Sequence, residues 1–212
     1  MEISGREVLR YLRMGGVAAD ERVSSLIAEL IAVFKESVIP KSVYGTWDCQ
    51  VDSFTVSLGG MTVKSQNLAK HLTGCRRAAL LAATLGPEAD TLIRRYSVQD
   101  MEKAVIAQGV CAAMIESYCD CVESEISQKP EFGGLYPTSR FSPGYGDFDI
   151  AHQKDILRLL NCARIGLTLT DGYMLIPSKS VTAVIGFLRE KKQTVIKCEF
   201  CADKFCEARE AV

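Results

Sequence analysis

Residues 140–187 read RFSPGYGDFDIAHQKDILRLLNCARIGLTLTDGYMLIPSKSVTAVIGF, and this stretch is the most informative about the fold. It opens with a loop in which Pro143 fixes its own φ angle and Gly144 can adopt a positive φ. The backbone is therefore expected to turn sharply between Arg140 and Tyr145. The remainder predicts one helix and two strand-like runs, at about 151–161, 165–177 and 179–188.

The N-terminal residues predict two helices. Ser4 and Glu7 have the spacing of a capping box, which predicts a short helix over 5–14 that ends at a pair of glycines. Asp20 can cap a second helix, because apolar side chains repeat at helical spacing from there as far as Pro40.

The next segment has the composition of strands. Residues 43–64 are rich in Val, Thr and aromatic side chains, and Gly59-Gly60 predicts a hairpin between two of the strands. A short helix over about 66–73 follows. The run RRAALLAATLG at 76–86 is short and apolar enough for a buried strand, with a helix as the alternative.

The longest periodic segment begins at Asp100 and predicts a helix that ends before Pro130. Residues 130–149 are rich in Gly and Pro, which predicts an ordered loop region. The expected buried stripe of the long helix consists of Val105, Gln108, Cys111, Ile115, Tyr118, Val122 and Ile126.

Helices mixed with clusters of strands indicate an α+β fold. We expect three parts, which are an N-terminal helical segment over 1–40, an α+β core over 41–190 and a Cys-rich C-terminal tail over 191–212.

Composition excludes several function classes. The chain has 212 residues, with 25 Lys and Arg against 26 Asp and Glu, and this balance gives no reason to expect nucleic acid or a membrane as partner. No secretory signal is recognisable, and no apolar run approaches the roughly 18 residues of a membrane span. A cytoplasmic location is expected, where the nine cysteines are thiols or metal ligands more often than disulfides.

Arg140 is the first candidate site residue. The sharp turn after it can present its guanidinium and the phenol of Tyr145 to one pocket. A guanidinium there would bind a carboxylate or a phosphate with planar, bidentate geometry. The alternative is a surface turn with a solvated arginine.

Glu116 is the second candidate, since the long helix surrounds it with small residues. Its side of the helix can therefore approach another backbone or a ligand closely, and its carboxylate could hold an ammonium, a ribose hydroxyl pair or a sulfonium. The alternative is an ordinary exposed glutamate. The small residues are Gly109, Ala112, Ala113 and Cys119.

The C-terminal tail contains a third candidate, the spacing Cys198-x2-Cys201-x4-Cys206. Three thiolates can share a soft metal ion, but a structural zinc site needs four ligands and no fourth lies nearby. The sequence leaves open a zinc ion with an open position, an iron–sulfur cluster with a borrowed ligand, a redox dithiol, or three unrelated cysteines.

The remaining cysteines and histidines are expected to be structural. Cys119 and Cys121 diverge on a helix, which makes a joint metal site unfavourable. His71 and His152 are interpreted as cap or surface residues. The chain also has no P-loop and no G-x-G-x-x-G motif.

The stretch quoted first resembles the activation (reactivation) domain of cobalamin-dependent methionine synthase. That family has an R-x-x-x-G-Y loop, then a helix, then an L-T-[ED]-x-x-x-M/L-x-P-x-x-S-V segment. The resemblance covers about 105–188 and extends more loosely from about residue 40 to the end, with most likeness to the free-standing bacterial form. The matching residues are Arg140, Gly144, Tyr145, Leu169, Thr170, Asp171, Pro177, Ser180 and Val181.

The resemblance implies a long, bent antiparallel sheet flanked by helices, which binds S-adenosylmethionine in a shallow groove. It also implies contact with a corrinoid-binding module whose cobalamin has been oxidised to inactive cob(II)alamin. An electron from flavodoxin or a similar donor, coupled to methyl transfer from S-adenosylmethionine, would restore methylcobalamin.

Five residues acquire roles from this resemblance. Arg140 matches the arginine that contacts the methionine carboxylate of the ligand, and Glu116 matches a helix glutamate that contacts the ligand. Gly144 and Tyr145 lie on the glycine and aromatic positions of the motif. Ser142 takes the place of a small residue whose backbone lines the adenosine site.

The leading hypothesis is an accessory activation protein of a split, cobalamin-dependent methionine synthase or related corrinoid methyltransferase. Such a protein is a component of a methyltransferase rather than a complete enzyme. The alternative is a metal or redox module, based on the three tail cysteines, that has the same fold and no longer binds S-adenosylmethionine.

Overall fold

The computed structural model describes residues 2–14 and 20–190. Its helices are α1 (Gly5–Tyr11), α2 (Glu21–Ser37), α3 (Gln66–His71), α4 (Pro87–Gln99), α5 (Met101–Ser127) and α6 (Gln153–Leu160). Its strands are β1 (Lys41–Val51), β2 (Thr55–Leu58), β3 (Met61–Lys64), β4 (Arg77–Thr84), β5 (Tyr136–Pro137), β6 (Thr168–Leu169), β7 (Leu175–Ile176) and β8 (Ser180–Leu188).

The main sheet is antiparallel, with the strand order β3-β2-β1-β4-β8-β5. Strand β1 is long because it pairs with β4 through residues 41–48 and then with β2 through residues 49–51. The sheet therefore extends well beyond a single hairpin. The predicted α+β fold, with a long antiparallel sheet flanked by helices, is confirmed.

Both faces of the central strands are buried. Along β4, Ala79 and Leu81 face one hydrophobic core and Leu80 and Ala82 face the other. The first core contains α1, α2, α4 and α5, and the second contains α3 and α6. A strand that is buried on both sides has an almost continuous apolar sequence, which explains the run at 76–86 and confirms the buried strand predicted there.

Helix α5 is the centre of the first helical layer. Of the described residues, 2–14 and 20–190, it forms the one helix that is long and apolar enough to cross a membrane, judged by length and composition alone. Of its most apolar window, 56% is buried inside the fold. A central core helix meets the same test, because it is covered on several sides by other helices and by the sheet.

The sequence prediction needs correction in two places. No element is predicted from the sequence for Pro87–Gln99, which forms α4 after Gly86 at φ +88°. The run at 165–177 is not one strand, because a turn with Tyr173 at φ +62° divides it into the two-residue strands β6 and β7. This turn is closed by the amide of Tyr173, which donates to the carbonyl of Thr170 at 3.0 Å.

The stripe expected on α5 is wrong at its N-terminal end. Val105 is 53% exposed and Gln108 is also exposed, whereas Ala104, Ile106 and Ala107 are buried. The buried face is displaced from the expected one here, because α1 packs against Gly109 and Lys103 forms an ion pair with Glu29 of α2. Farther along the helix the expected residues Cys111, Ile115, Val122 and Ile126 are buried.

Gly109 allows α1 to lie directly against α5. A Cβ atom at this position would lie 2.8 Å from Cγ of Leu12 and 3.2 Å from the carbonyl oxygen of Val8. The close approach to another backbone that the small residues of α5 predict is therefore made with α1.

We expect Gly109→Leu to lower the free energy of unfolding by about 2 kcal/mol, because the larger side chain forces α1 away from α5. The matched control is Gln108→Leu, at the neighbouring exposed position, which should change stability by less than about 0.5 kcal/mol. Urea unfolding measures both variants. Equal stability of the two would show that the contact between α1 and α5 tolerates separation.

Candidate functional site

The segment that contains Arg140 is fixed to the edge of the main sheet. The amide of Phe141 donates to the carbonyl of Val184 at 3.0 Å, and the amide of Val184 donates to the carbonyl of Phe141 at 2.9 Å. Phe141 is buried in the second core, while the preceding side chain reaches α5 on the other face of the sheet. This alternation is expected for an extended segment, where successive side chains point to opposite faces.

Arg140 contacts three carboxylates of α5. Its Nη2 lies 2.7 Å from Oε2 of Glu116. Its Nη1 lies 2.7 Å from Oδ1 of Asp120 and 2.9 Å from Oε2 of Glu123. These acids are four and then three residues apart, so they lie on one face of the helix. The two candidate residues Arg140 and Glu116, 24 positions apart in the sequence, are thus brought together.

The environment of Arg140 is buried and acidic. Its side chain is 9% exposed, and one positive charge faces three negative ones, which gives a local net charge of −2. Burial by itself would lower the pKa of Arg140, but the hydrogen bonds and charges of Asp120 and Glu116 outweigh it and raise the pKa above its usual value. The guanidinium therefore remains charged in this environment.

The three acids differ in their exposure. The side chain of Asp120 is 70% exposed, that of Glu116 is 36% exposed and that of Glu123 is 22% exposed. Asp120 can therefore leave the guanidinium and become hydrated at less cost than the other two. Sequence analysis singled out neither Asp120 nor Glu123 as a site residue. The signal that would have found Glu123 is its spacing of seven residues from Glu116.

The loop after Arg140 forms the predicted sharp turn. Gly144 has φ +96°, a value that residues with a side chain rarely adopt. Its amide donates to the carbonyl of Phe148 at 2.7 Å. The amide of Tyr145 donates to the carbonyl of Ser142 at 3.1 Å. Tyr145 is 58% exposed, and its ring meets the ring of Phe141 edge-on at 6.2 Å. The loop thus presents an aromatic side chain and a glycine backbone to solvent.

Asp147 connects this loop to the start of α3. Its carboxylate accepts hydrogen bonds from Oγ of Ser65 at 2.5 Å, from the amide of Gln66 at 2.7 Å and from the amide of Asn67 at 3.1 Å. Desolvation opposes these contacts, but the hydrogen bonds outweigh it and hold the pKa of Asp147 below its usual range. Sequence reasoning missed Asp147, since its partners are about 80 residues away.

The C-terminal end of α1 lies near Glu116. Burial, together with the charge of Glu116, raises the pKa of Tyr11 above its usual value. On the core side of the helix, burial raises the pKa of the Cys119 thiol to about 12, so this side chain is a neutral packing group. Glu116 therefore lies near both the guanidinium of Arg140 and the phenol of Tyr11.

The other chemically interesting residues have structural roles. Cys119 is buried and Cys121 is exposed, as expected for side chains that diverge on a helix. Nε2 of His71 lies 2.8 Å from the carbonyl oxygen of Ser139, so this histidine holds the segment before Arg140. Nδ1 of His152 lies 2.9 Å from the carboxylate of Asp155 in the first turn of α6.

The cysteines Cys198, Cys201 and Cys206 lie outside the described residues, and so does the whole segment 191–212. Within 2–14 and 20–190, no group of three or more His, Cys, Asp and Glu side chains has the arrangement of a metal site.

Comparison with known proteins identifies the fold. Neither a family model nor a curated protein matches this chain. Among solved structures, it is similar to the crystal structure of the MetH reactivation domain bound to AdoHcy, with a TM-score of 0.62 and 13% sequence identity. The match covers 91% of this chain and 79% of that one. At this identity the likeness demonstrates the fold, as the resemblance in the sequence predicted.

We expect Arg140→Met to lower the free energy of unfolding by about 3 kcal/mol, because three carboxylates would remain together without a counter-charge. Adding Glu116→Gln and Glu123→Gln to this variant should recover part of the loss by removing the repulsion. The control is Arg158→Met, which removes an arginine side chain that is 73% exposed and should cost less than about 0.5 kcal/mol. Chemical denaturation at neutral pH measures all of them. Failure of the glutamine substitutions to restore stability would contradict this electrostatic account.

Proposed function

We propose that this protein is an activation protein that binds S-adenosylmethionine and acts on a separate corrinoid-binding module of a methionine synthase or related methyltransferase. The fold it shares with the MetH reactivation domain supports this function, and that domain was crystallised with AdoHcy. We place its action in the cytoplasm, with flavodoxin or a similar protein as the electron donor.

The main observation behind the proposal is that Arg140 and Glu116 lie together beside the turn that presents Tyr145. Nη2 of Arg140 lies 2.7 Å from Oε2 of Glu116, and Tyr145 is 58% exposed. The family resemblance implicates these same residues in ligand binding. A fold alone supports many functions, so the proposal depends on this group of side chains rather than on the topology.

We expect the ligand carboxylate to bind Arg140 by an exchange of partners. Both terminal nitrogens of the guanidinium are already engaged by carboxylates of α5. The most exposed of these, Asp120, is the one that a ligand carboxylate would replace at Nη1. The ammonium and sulfonium groups of the ligand would then face the remaining negative charge of Glu116 and Glu123, and their positive charges would compensate the added carboxylate.

The turn would hold the adenosine part of the ligand. Gly144 has no side chain, so a ligand can approach its backbone closely, and the exposed ring of Tyr145 offers a surface for stacking. The backbone of Ser142, whose carbonyl accepts from the amide of Tyr145, would line the adenosine site. These groups bind and orient the methyl donor, and the small, exposed binding surface leaves the methyl group open to a partner protein.

The chemical step would belong to the partner's cobalamin and the methyl donor. The partner's cobalamin would accept one electron from the donor protein and then the methyl group of S-adenosylmethionine, with AdoHcy as the product released. This chain would supply position and electrostatics. Its proposed division into a helical segment over 1–40, a core over 41–190 and a tail over 191–212 remains a prediction.

A reactivation assay tests the function directly. We expect an oxidised corrinoid-binding module to recover methylcobalamin only when this protein, S-adenosylmethionine and the electron donor are all present. Tyr145→Ala should weaken S-adenosylmethionine binding roughly tenfold in calorimetric titration and slow recovery, because a stacking surface is lost. Tyr136→Ala, which removes a tyrosine that is 45% exposed and pairs with the far end of β8, should change neither. Equal recovery without this protein would exclude the proposed function.

Asp120→Asn distinguishes two modes of ligand binding. If the ligand carboxylate replaces Asp120 at Arg140, the variant should bind AdoHcy about two- to fivefold more tightly, because a competing charge is removed from an exposed position. The same titration with Asp155→Asn controls for the loss of one negative charge elsewhere. Weaker binding by Asp120→Asn would mean that the acids of α5 recognise the ligand's ammonium group, and that Arg140 only holds them in place.

A further inference from the structure

The structure assigns to Asp147 the role of a positioning residue that fixes the ligand-binding turn on α3. That the turn binds a ligand rests on the proposed function, but the hydrogen bonds between Asp147 and α3 do not depend on it. Asp147 belongs to no part of the motif that the family resemblance supplies.

The turn is anchored at both of its ends. Before the turn, Phe141 is bonded to β8, and after it Phe148 is buried in the second core. Between these two anchors, the residues 144–147 are exposed. Within the turn, the amide of Gly144 donates to the carbonyl of Phe148 and the amide of Tyr145 donates to the carbonyl of Ser142, and these bonds define its shape.

Asp147 connects the tip of the turn to α3, because it makes three hydrogen bonds to the start of this helix. Its carboxylate accepts from Oγ of Ser65 and from the amides of Gln66 and Asn67, at 2.5, 2.7 and 3.1 Å. Hydrogen bonds to a charged acceptor are stronger than neutral ones and restrict geometry more. The turn is therefore held against α3 at one defined point.

Gly146 provides a second observation for the same contact. It has φ +55°, and a Cβ atom there would lie 2.1 Å from Nδ2 of Asn67 and 3.2 Å from Cβ of the same residue. The backbone of the turn thus touches α3 directly beside the hydrogen bonds of Asp147. Two neighbouring residues of the loop therefore suit this contact. The carboxylate of Asp147 accepts the hydrogen bonds, and Gly146 has no side chain that would collide with Asn67.

The consequence for the site is geometric. Tyr145 lies two residues before Asp147, and Gly144 lies three residues before it. A rotation of the turn about its two anchors would displace both residues relative to Arg140, which is held separately by α5. Small displacements of binding groups reduce affinity strongly, so the position of the turn controls whether its residues and Arg140 act on the same ligand.

The test uses the full chain and three variants, with two measurements for each. In Asp147→Ala the hydrogen bonds to α3 are lost, and in Asp147→Asn they are weakened but the shape is kept. Asp149→Ala is the matched control, because it removes the same charge from the same loop but a bond only to the amide of Ala151, at 2.8 Å. The measurements are the rate of chymotryptic cleavage after Tyr145, followed by mass spectrometry, and the affinity for AdoHcy by calorimetry.

We expect Asp147→Ala to increase cleavage after Tyr145 and to weaken AdoHcy binding roughly tenfold, since three bonds to a charged acceptor are lost. Asp147→Asn should lie between this variant and the wild type, and Asp149→Ala should resemble the wild type in both measurements. A purely structural effect would lower the unfolding temperature without changing affinity well below that temperature.

Unchanged cleavage in Asp147→Ala would overturn the inference, whatever the ligand measurements show. Faster cleavage with unchanged affinity would also overturn it, because the turn would then be held by Asp147 without any effect on binding. If the wild type binds neither S-adenosylmethionine nor AdoHcy, the proposed function fails and the role in ligand binding fails with it. The cleavage rates would in that case still decide whether Asp147 holds the turn.

Discussion

The ion pairs between Arg140 and the three carboxylates of α5 are the interaction on which the arrangement of this region depends. A guanidinium that is 9% exposed loses most of its hydration, and it is tolerated only where carboxylates replace the lost water. Glu116, Asp120 and Glu123 satisfy this requirement because their helical spacing places them on one face of α5. The contact joins the edge of the sheet to the central helix. The turn with Gly144 and Tyr145 comes directly after Arg140 in the sequence.

Helix α5 accordingly has two functions in the fold. On one side it packs against α1, α2, α4 and the sheet, where Met114 and Cys119 are fully buried. On the other side its acids face Arg140. A helix with so many neighbours needs small residues where another backbone approaches, and Gly109 provides this against α1. Packing therefore accounts for the sequence of α5 along most of its length, and the ion pairs with Arg140 account for the acids between Glu116 and Glu123.

The sequence predicts those features whose physical cause is local. The capping box of Ser4 and Glu7 forms, and so does the hairpin turn at Gly59-Gly60, because a few neighbouring residues determine each of them. The positive φ of Gly144 belongs to the same class. Helix α4 was not predicted because its sequence is mostly polar. Only part of one face is buried, and its buried residues are Ala89 and Ile93.

Contacts between distant residues were beyond what the sequence pattern could provide. Nothing in the residues around Asp147 indicates that its partners are at 65–67, and nothing near Arg140 indicates three acids rather than one. The family resemblance identified Arg140 and Glu116 as site residues, but it described each as a ligand contact. It gave no sign that the two are partners of one another.

This difference changes how the site is understood. An arginine in a binding motif is ordinarily interpreted as a receptor for an anion, yet here three acids already neutralise its charge and leave the surroundings negative. The affinity of such a site for an anion depends on which acid can leave, and that is decided by exposure rather than by distance, since all three lie within 2.9 Å of the guanidinium. Asp120 is mostly hydrated already, while Glu123 is mostly buried, so an exchange at Nη1 would replace the former and retain the latter. The chemistry of Arg140 is therefore a property of the whole group of four charges.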